Sequence, residues 1–184
     1  MYTRELADVL KTGGIAVLAT DTLYGIVASA LQKNAVEKIY TIKARDLDKP
    51  YIILLSSAVE LKNFGITPTS EQSVYLNSVW PGKVSVILPL PTSTSTLYQY
   101  LHRGKKALAF RVPAKSELRE LLKQTGPLVA PSANTQGGEP AITVDEAKSY
   151  FGDLVDMYVD EGLIEGSPSR LVDLTGIEPK ILRN

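Results

Sequence analysis

Short apolar runs, each too brief for a helix and each followed by polar or proline-containing residues, recur along this chain: GIAVLAT (14–20), YIILL (51–55), ALAFRVP (107–113) and PLVAPS (127–132). Runs of this length and β-branched content read as strands buried on both faces. KVSVILPL (83–90) alternates as a half-buried strand, and LVDMYV (154–159), RLVDLT (170–175) and KILR (180–183) also have strand character. Helical patterns separate the strands. Thr3 can cap a first helix with Leu6, Val9 and Leu10 on one stripe and Gly13-Gly14 at its end. Asn34 with Glu37, Ser57 with Glu60 and Thr143 with Glu146 have capping-box spacing. A further helix fits 70–80, and Ser116 is a cap candidate for another. Strands alternating with helices specify an α/β fold, and some of the short spacings call for antiparallel pairs as well. The expected architecture is a single domain, 1–184, with a twisted mixed β-sheet flanked by helices.

At 184 residues there is material for one sizeable core rather than two. Lys plus Arg and Asp plus Glu number 20 each, so no global field draws the chain to nucleic acid or anionic lipid, and any cationic site must be local. The absence of cysteine excludes disulfides and thiolate metal sites, and the single His102 excludes a multi-histidine site. No apolar run approaches the ~20 residues of a membrane span. Residues 1 to 12 carry Arg4, Glu5, Asp8 and Lys11, unlike a signal peptide, and the expectation is a cytoplasmic protein with no membrane partner. LPTSTSTLYQYLHRGKK (90–106) lacks periodicity and reads as an exposed, mobile loop, with His102 on the surface. Trp80 reads as a core anchor.

Polar groups directly after buried strands are where α/β sheets bind ligands. ATDTLYG (19–25) offers Thr20, Asp21 and Thr22 there, with Gly25 allowing close backbone approach; a plain turn is the other reading. In APSAN (130–134), Ser132 and Asn134 share a face if extended and suit phosphate or nucleobase recognition, or else form an Asx turn. EGSPSRLVD (165–173) places Ser167 and Ser169 ahead of a strand. Arg111 lies inside an apolar strand, where burial requires a partner or an anionic ligand. In YTIKARDLDKP (40–50), Lys43 and Arg45 share a face if the helix ends near Ile42. They then converge on one anion; in a solvated last turn they complement the helix dipole instead. No Walker-type loop, dinucleotide fingerprint or nucleophile elbow occurs, and the lone histidine argues against a Ser-His-Asp triad.

Taken in order, TDTLYG, KAR followed by KPYIILL, WPGKVSVIL, AFRVP, APSAN, PSRLVDLTG and KILRN resemble the single-domain form of the threonylcarbamoyl-AMP synthase (YrdC-like) family. The resemblance implies a large cationic cavity. It also implies a reaction in which L-threonine, bicarbonate and ATP, with Mg²⁺, give threonylcarbamoyl-adenylate and pyrophosphate. Lys43 and Arg45 would be catalytic, on the nucleotide phosphates and carbamoyl group. Thr20, Arg111 and Ser169 would hold threonine, and Ser132, Asn134 and Arg183, with Lys43 and Arg45, the ATP. Downstream partners would be tRNA threonylcarbamoyl-transfer proteins acting on adenosine 37, with weak tRNA contact. Members often carry His where this chain has Leu54, and Ser-Thr where it has Ser169-Arg170.

The residue types suit that chemistry, because two anions must meet and fixed cations and neutral donors lower such a barrier without a nucleophilic side chain. Two other readings remain on the same fold. One is a non-catalytic module for tRNA or double-stranded RNA, against which the balanced charge weighs. The other is carbamoyl transfer from carbamoyl phosphate, whose relatives are longer and carry zinc-binding cysteines that this chain lacks.

Overall fold

Thr3 caps the first helix as its position requires: its hydroxyl accepts from Leu6 N at 3.2 Å, and α1 (Arg4–Lys11) buries Leu6, Ala7 and Leu10. The structure is a computed structural model that describes residues 2–44 and 46–184. After α1 come β1 (Ala16–Ala19), β2 (Tyr24–Ser29), α2 (Lys33–Lys43) and β3 (Ile52–Leu54). A 3₁₀ turn (Ala58–Phe64) leads to α3 (Ser70–Val79), β4 (Val84–Pro89), α4 (Thr92–Ser95) and α5 (Gln99–His102). β5 (Ala107–Arg111), α6 (Ser116–Thr125), β6 (Leu128–Val129) and α7 (Val144–Phe151) follow, then β7 (Met157–Tyr158), β8 (Arg170–Asp173) and β9 (Lys180–Arg183).

The described strands form one mixed sheet in the order β7-β1-β2-β6-β3-β5-β4-β8-β9. The β1–β7, β3–β5 and β4–β8 pairs are parallel and the other neighbours antiparallel. Pleating sends alternate residues of β1 to opposite faces. Ala16 and Leu18 pack with α1 and α6 against Leu118, Leu121 and Leu122. Val17 and Ala19 join the larger core, which is built on Ile39 and Tyr40 of α2, Phe64 and Phe110. Each large apolar side chain fully buried there contributes about 1.5–3 kcal/mol.

Several local expectations give way. The six-residue β2, buried throughout, lies where only a polar loop was expected as far as Gly25. α2 starts at Lys33 behind Gln32, so Asn34 and Glu37 form no capping box. The Ser57 segment is 3₁₀ rather than α, with Glu60 accepting from Ser56 N at 2.5 Å. Ser116 is the first residue of α6 rather than its cap. The 90–106 stretch is not an exposed loop: Tyr98 donates to Asn63 O at 2.5 Å and Tyr100 to Ala30 O at 2.8 Å. His102, only 4% exposed, accepts from Gly104 N at 3.0 Å through Nδ1 and meets Ser95 O at 2.9 Å through Nε2. Trp80 is buried, as expected of an anchor. Among the described residues, no helix is long and apolar enough to cross a membrane.

Candidate functional site

Pleating also decides what the other face of β5 presents. Leu108 and Phe110 enter the core, so Ala107, Ala109 and Arg111 line the opposite side. Two methyl groups leave space there, and a cavity of about 390 Å³ opens over them. That is within the size class of small-molecule sites. Its rim is supplied by the β1–β2 turn, the segment after β6, and the strands β8 and β9. Lys105, Arg111 and Arg183 line it, and among the described residues no carboxylate does.

The β1–β2 turn is organised by Thr20. Its Oγ1 donates to Leu23 O at 2.8 Å, accepts from Thr22 N at 3.1 Å, and lies 2.9 Å from Thr22 Oγ1. Gly166 crosses over this turn so closely that a Cβ there would sit 1.8 Å from Thr22 O. Asp21, which directs its carboxylate away from its own turn, forms an ion pair with Arg111 Nη1 and accepts from Ala114 N at 2.8 Å. The Arg111 side chain is 5% exposed. Burial pushes its guanidinium below the ordinary value, and Asp21 offsets part of that.

At the other wall, Ser169 shares a hydrogen bond with the buried Ser85 at 2.8 Å. Arg183 donates to Ser169 O through Nε at 3.0 Å and Nη2 at 2.8 Å. Burial first, and then the charge of Arg111, holds Arg183 below its usual value. Two guanidinium groups therefore repel each other across one recess.

The third wall is the APSAN segment. Ser132 Oγ donates to Asn134 Oδ1 at 2.6 Å, and Asn134 Nδ2 donates to Gly138 O at 2.6 Å. Behind it Lys43, 2% exposed, donates to Ser132 O at 2.6 Å and to Asn134 O.

Thr20, Arg111, Ser132, Ser169 and Arg183 thus line one cavity, whereas Lys43 and Asn134 brace its wall from behind. Arg45 lies outside the described residues. Lys43 is the last helical residue and Ala44 is left-handed (φ 48°), so the helix runs one residue past Ile42 and the extended geometry expected from there is not formed at 44. Leu54 is buried in the α1–α6 core, and Ile52, two residues earlier on the same face of β3, packs against that core and also lines the cavity. Spacing alone missed the Asp21–Arg111 pairing, the cavity-lining Lys105 and the support from Ser85. The one available signal was that a buried arginine needs a counter-ion.

The comparisons bear on the whole chain. The Sua5/YciO/YrdC family model, described as "Telomere recombination", matches residues 8–184. A putative threonylcarbamoyl-AMP synthase of Mycobacterium tuberculosis is 31% identical over 95% of this chain and 79% of its own length. The threonylcarbamoyl-AMP synthase of Idiomarina loihiensis is 34% identical over 89% of this chain and 88% of its own. Among solved structures, Pyrococcus abyssi Sua5 complexed with L-threonine superposes with a TM-score of 0.89 at 28% identity, covering 98% of this chain. This chain spans about half of that protein's length (53%). With the family match, over residues 8–184, spanning every residue that lines the cavity, the chain belongs to the Sua5/YciO/YrdC family.

Proposed function

We propose that this chain condenses L-threonine, bicarbonate and ATP into threonylcarbamoyl-AMP and pyrophosphate. The observation that carries this reading is the pair Arg111 and Arg183: with Lys105 they line one recess that no carboxylate lines among the described residues. An anion placed between them relieves the repulsion. Relatives named threonylcarbamoyl-AMP synthase and a threonine complex of a family member support the choice of anions.

In this scheme the threonine amine and bicarbonate give a carbamate and water. A carbamate oxygen attacks the α-phosphorus, and the bond to the bridging oxygen breaks as pyrophosphate leaves. Arg111 receives the amino-acid carboxylate, and Thr20 and Ser169 shape that end. Arg183 and Ser132 face the nucleotide and its adenylate. Lys43 acts at that end through the Ser132–Asn134 segment that it braces, and the role of Arg45 on the phosphates rests on the family resemblance alone. Fixed donors of this kind stabilise developing charge without reorganising. Mg²⁺ belongs to the ATP substrate; among the described residues no group of three or more carboxylate or imidazole side chains could hold a metal ion. The product would pass, in the cytoplasm, to proteins that transfer the threonylcarbamoyl group to adenosine 37 of tRNA. Incubation with ATP, bicarbonate, threonine and Mg²⁺ should release pyrophosphate, and omitting threonine should abolish it. Release that ignores threonine would overturn the assignment.

A further inference from the structure

We propose that Asp21 is a positioning residue for the amino-acid end of this cavity, fixing the Arg111 guanidinium so that one edge of it is presented to the substrate carboxylate. This rests on the reading of the cavity as a threonine and ATP site.

Asp21 does not line the cavity; Arg111 does. The Asp21 side chain is 7% exposed, and its two oxygens are committed to different elements. Oδ1 holds Arg111 Nη1 at the end of β5, and Oδ2 accepts from Ala114 N at 2.8 Å just beyond that strand. The β1–β2 turn is thereby pinned to the end of β5, and Arg111 loses the freedom to rotate.

What remains of the guanidinium is one edge. Nη2 reaches only Thr22 Oγ1, at a long 3.4 Å, and Nε is buried without a partner among the described residues. A buried donor left unpaired is costly, so a carboxylate that engaged this edge would relieve that cost. The Nε–Nη2 edge matches a carboxylate bidentately, a geometry that works only if the fork is held in one orientation. Because Asp21 already offsets the charge of Arg111, recognition at this end depends on direction more than on attraction.

Asparagine cannot replace Asp21. Its single carbonyl can accept from Arg111 or from Ala114 N, and its amide then faces the other N–H donor-to-donor. Asp21→Asn should therefore raise the KM for threonine about 10- to 100-fold, the scale set by misplacing a binding group by an ångström, with the KM for ATP within about twofold. Asp21→Glu, which keeps the charge, should recover part of the loss. If Asp21 acts only through Arg111, the double variant Asp21→Asn/Arg111→Lys should be no worse than Arg111→Lys alone.

Unchanged threonine KM in Asp21→Asn, equal rises for both substrates, or multiplying effects in the double variant would each overturn the proposal. A second readout needs no turnover. In ¹⁵N NMR of the unliganded protein, Arg111 should show slowed side-chain N–H exchange that is lost in Asp21→Asn, and unaltered Arg111 signals would sink the proposal. If Asp21→Asn does not fold, Asp21→Glu carries both measurements and should show an intermediate shift. A wild-type protein that releases no pyrophosphate would defeat the assignment of function alone, leaving the NMR result to decide on Asp21.

Discussion

Ala109→Leu separates the site from the core more cleanly than any other single change. Ala109 pairs with Ile52 of β3 on one side and Ile87 of β4 on the other, and all three line the cavity. The substitution adds three carbons to the cavity face and none to the packed face. Full burial of those carbons would stabilise by about 2.4 kcal/mol at ~0.8 kcal/mol each. Partial exposure and about 0.5–1 kcal/mol of lost rotamer freedom offset most of that. The net effect should lie within about 1 kcal/mol, a melting shift of about 2–4 °C or less for a chain of this size. The catalytic effect should be large, because displacing a reactant by an ångström costs about 100-fold. The matching control is Phe110→Ala, one residue away on the packed face, which should lose about 3–5 kcal/mol. Thermal melting and pyrophosphate release, run on both variants, make the comparison. If Ala109→Leu melts as though more than about 2 kcal/mol were lost, the residue faces the core and the pleat is misread. If turnover is untouched, the chemistry happens elsewhere.

Gly166→Ala places a methyl 1.8 Å from Thr22 O, so the crossing segment must lift; unfolding in urea should show a loss of about 1–3 kcal/mol, with threonine binding weakened, and unaltered stability would count against the packing described. Burial, and next the neighbouring Tyr98, push the Tyr100 hydroxyl up to about 12. Its neutral form is thus favoured in the fold: the stability it contributes is complete below the unfolded value of about 10 and is lost as pH rises through about 12. Denaturation measured across that alkaline window should be less pH-dependent in Tyr100→Phe, and an identical profile would refute the linkage.

What could be read from residues alone followed the reach of the physics. Apolar runs such as AVLA and VSVILP announced β1 and β4 because burial on one or both faces leaves a local trace. Thr3 and Thr143 show the same for caps, since the bond spans only three residues. β2 was hidden because Gly25, Ala28 and Ser29 dilute its apolar signal and the turn before it is polar. The 90–106 segment was misjudged because its order comes from partners far away: Tyr100 bonds across 70 positions and Tyr98 across 35. In the site, Thr20, Ser132 and Ser169 were visible as polar groups adjoining strands. That Arg111 is paired with a carboxylate 90 positions earlier was not, because separation in sequence carries no sign of contact.

Those separations have a consequence for how the molecule becomes active. The cavity is closed by pairs 84, 89 and 90 residues apart, namely Ser85–Ser169, Lys43–Ser132 and Asp21–Arg111. Loop closure on that scale must be met before any of these contacts forms, so the binding recess matures late in folding. A cut at the middle of the polypeptide would separate the two members of each of these pairs. Turnover is therefore a stringent reporter of native assembly: a population that has regained its helices but not the seam between β4 and β8 would look folded by circular dichroism and remain inert.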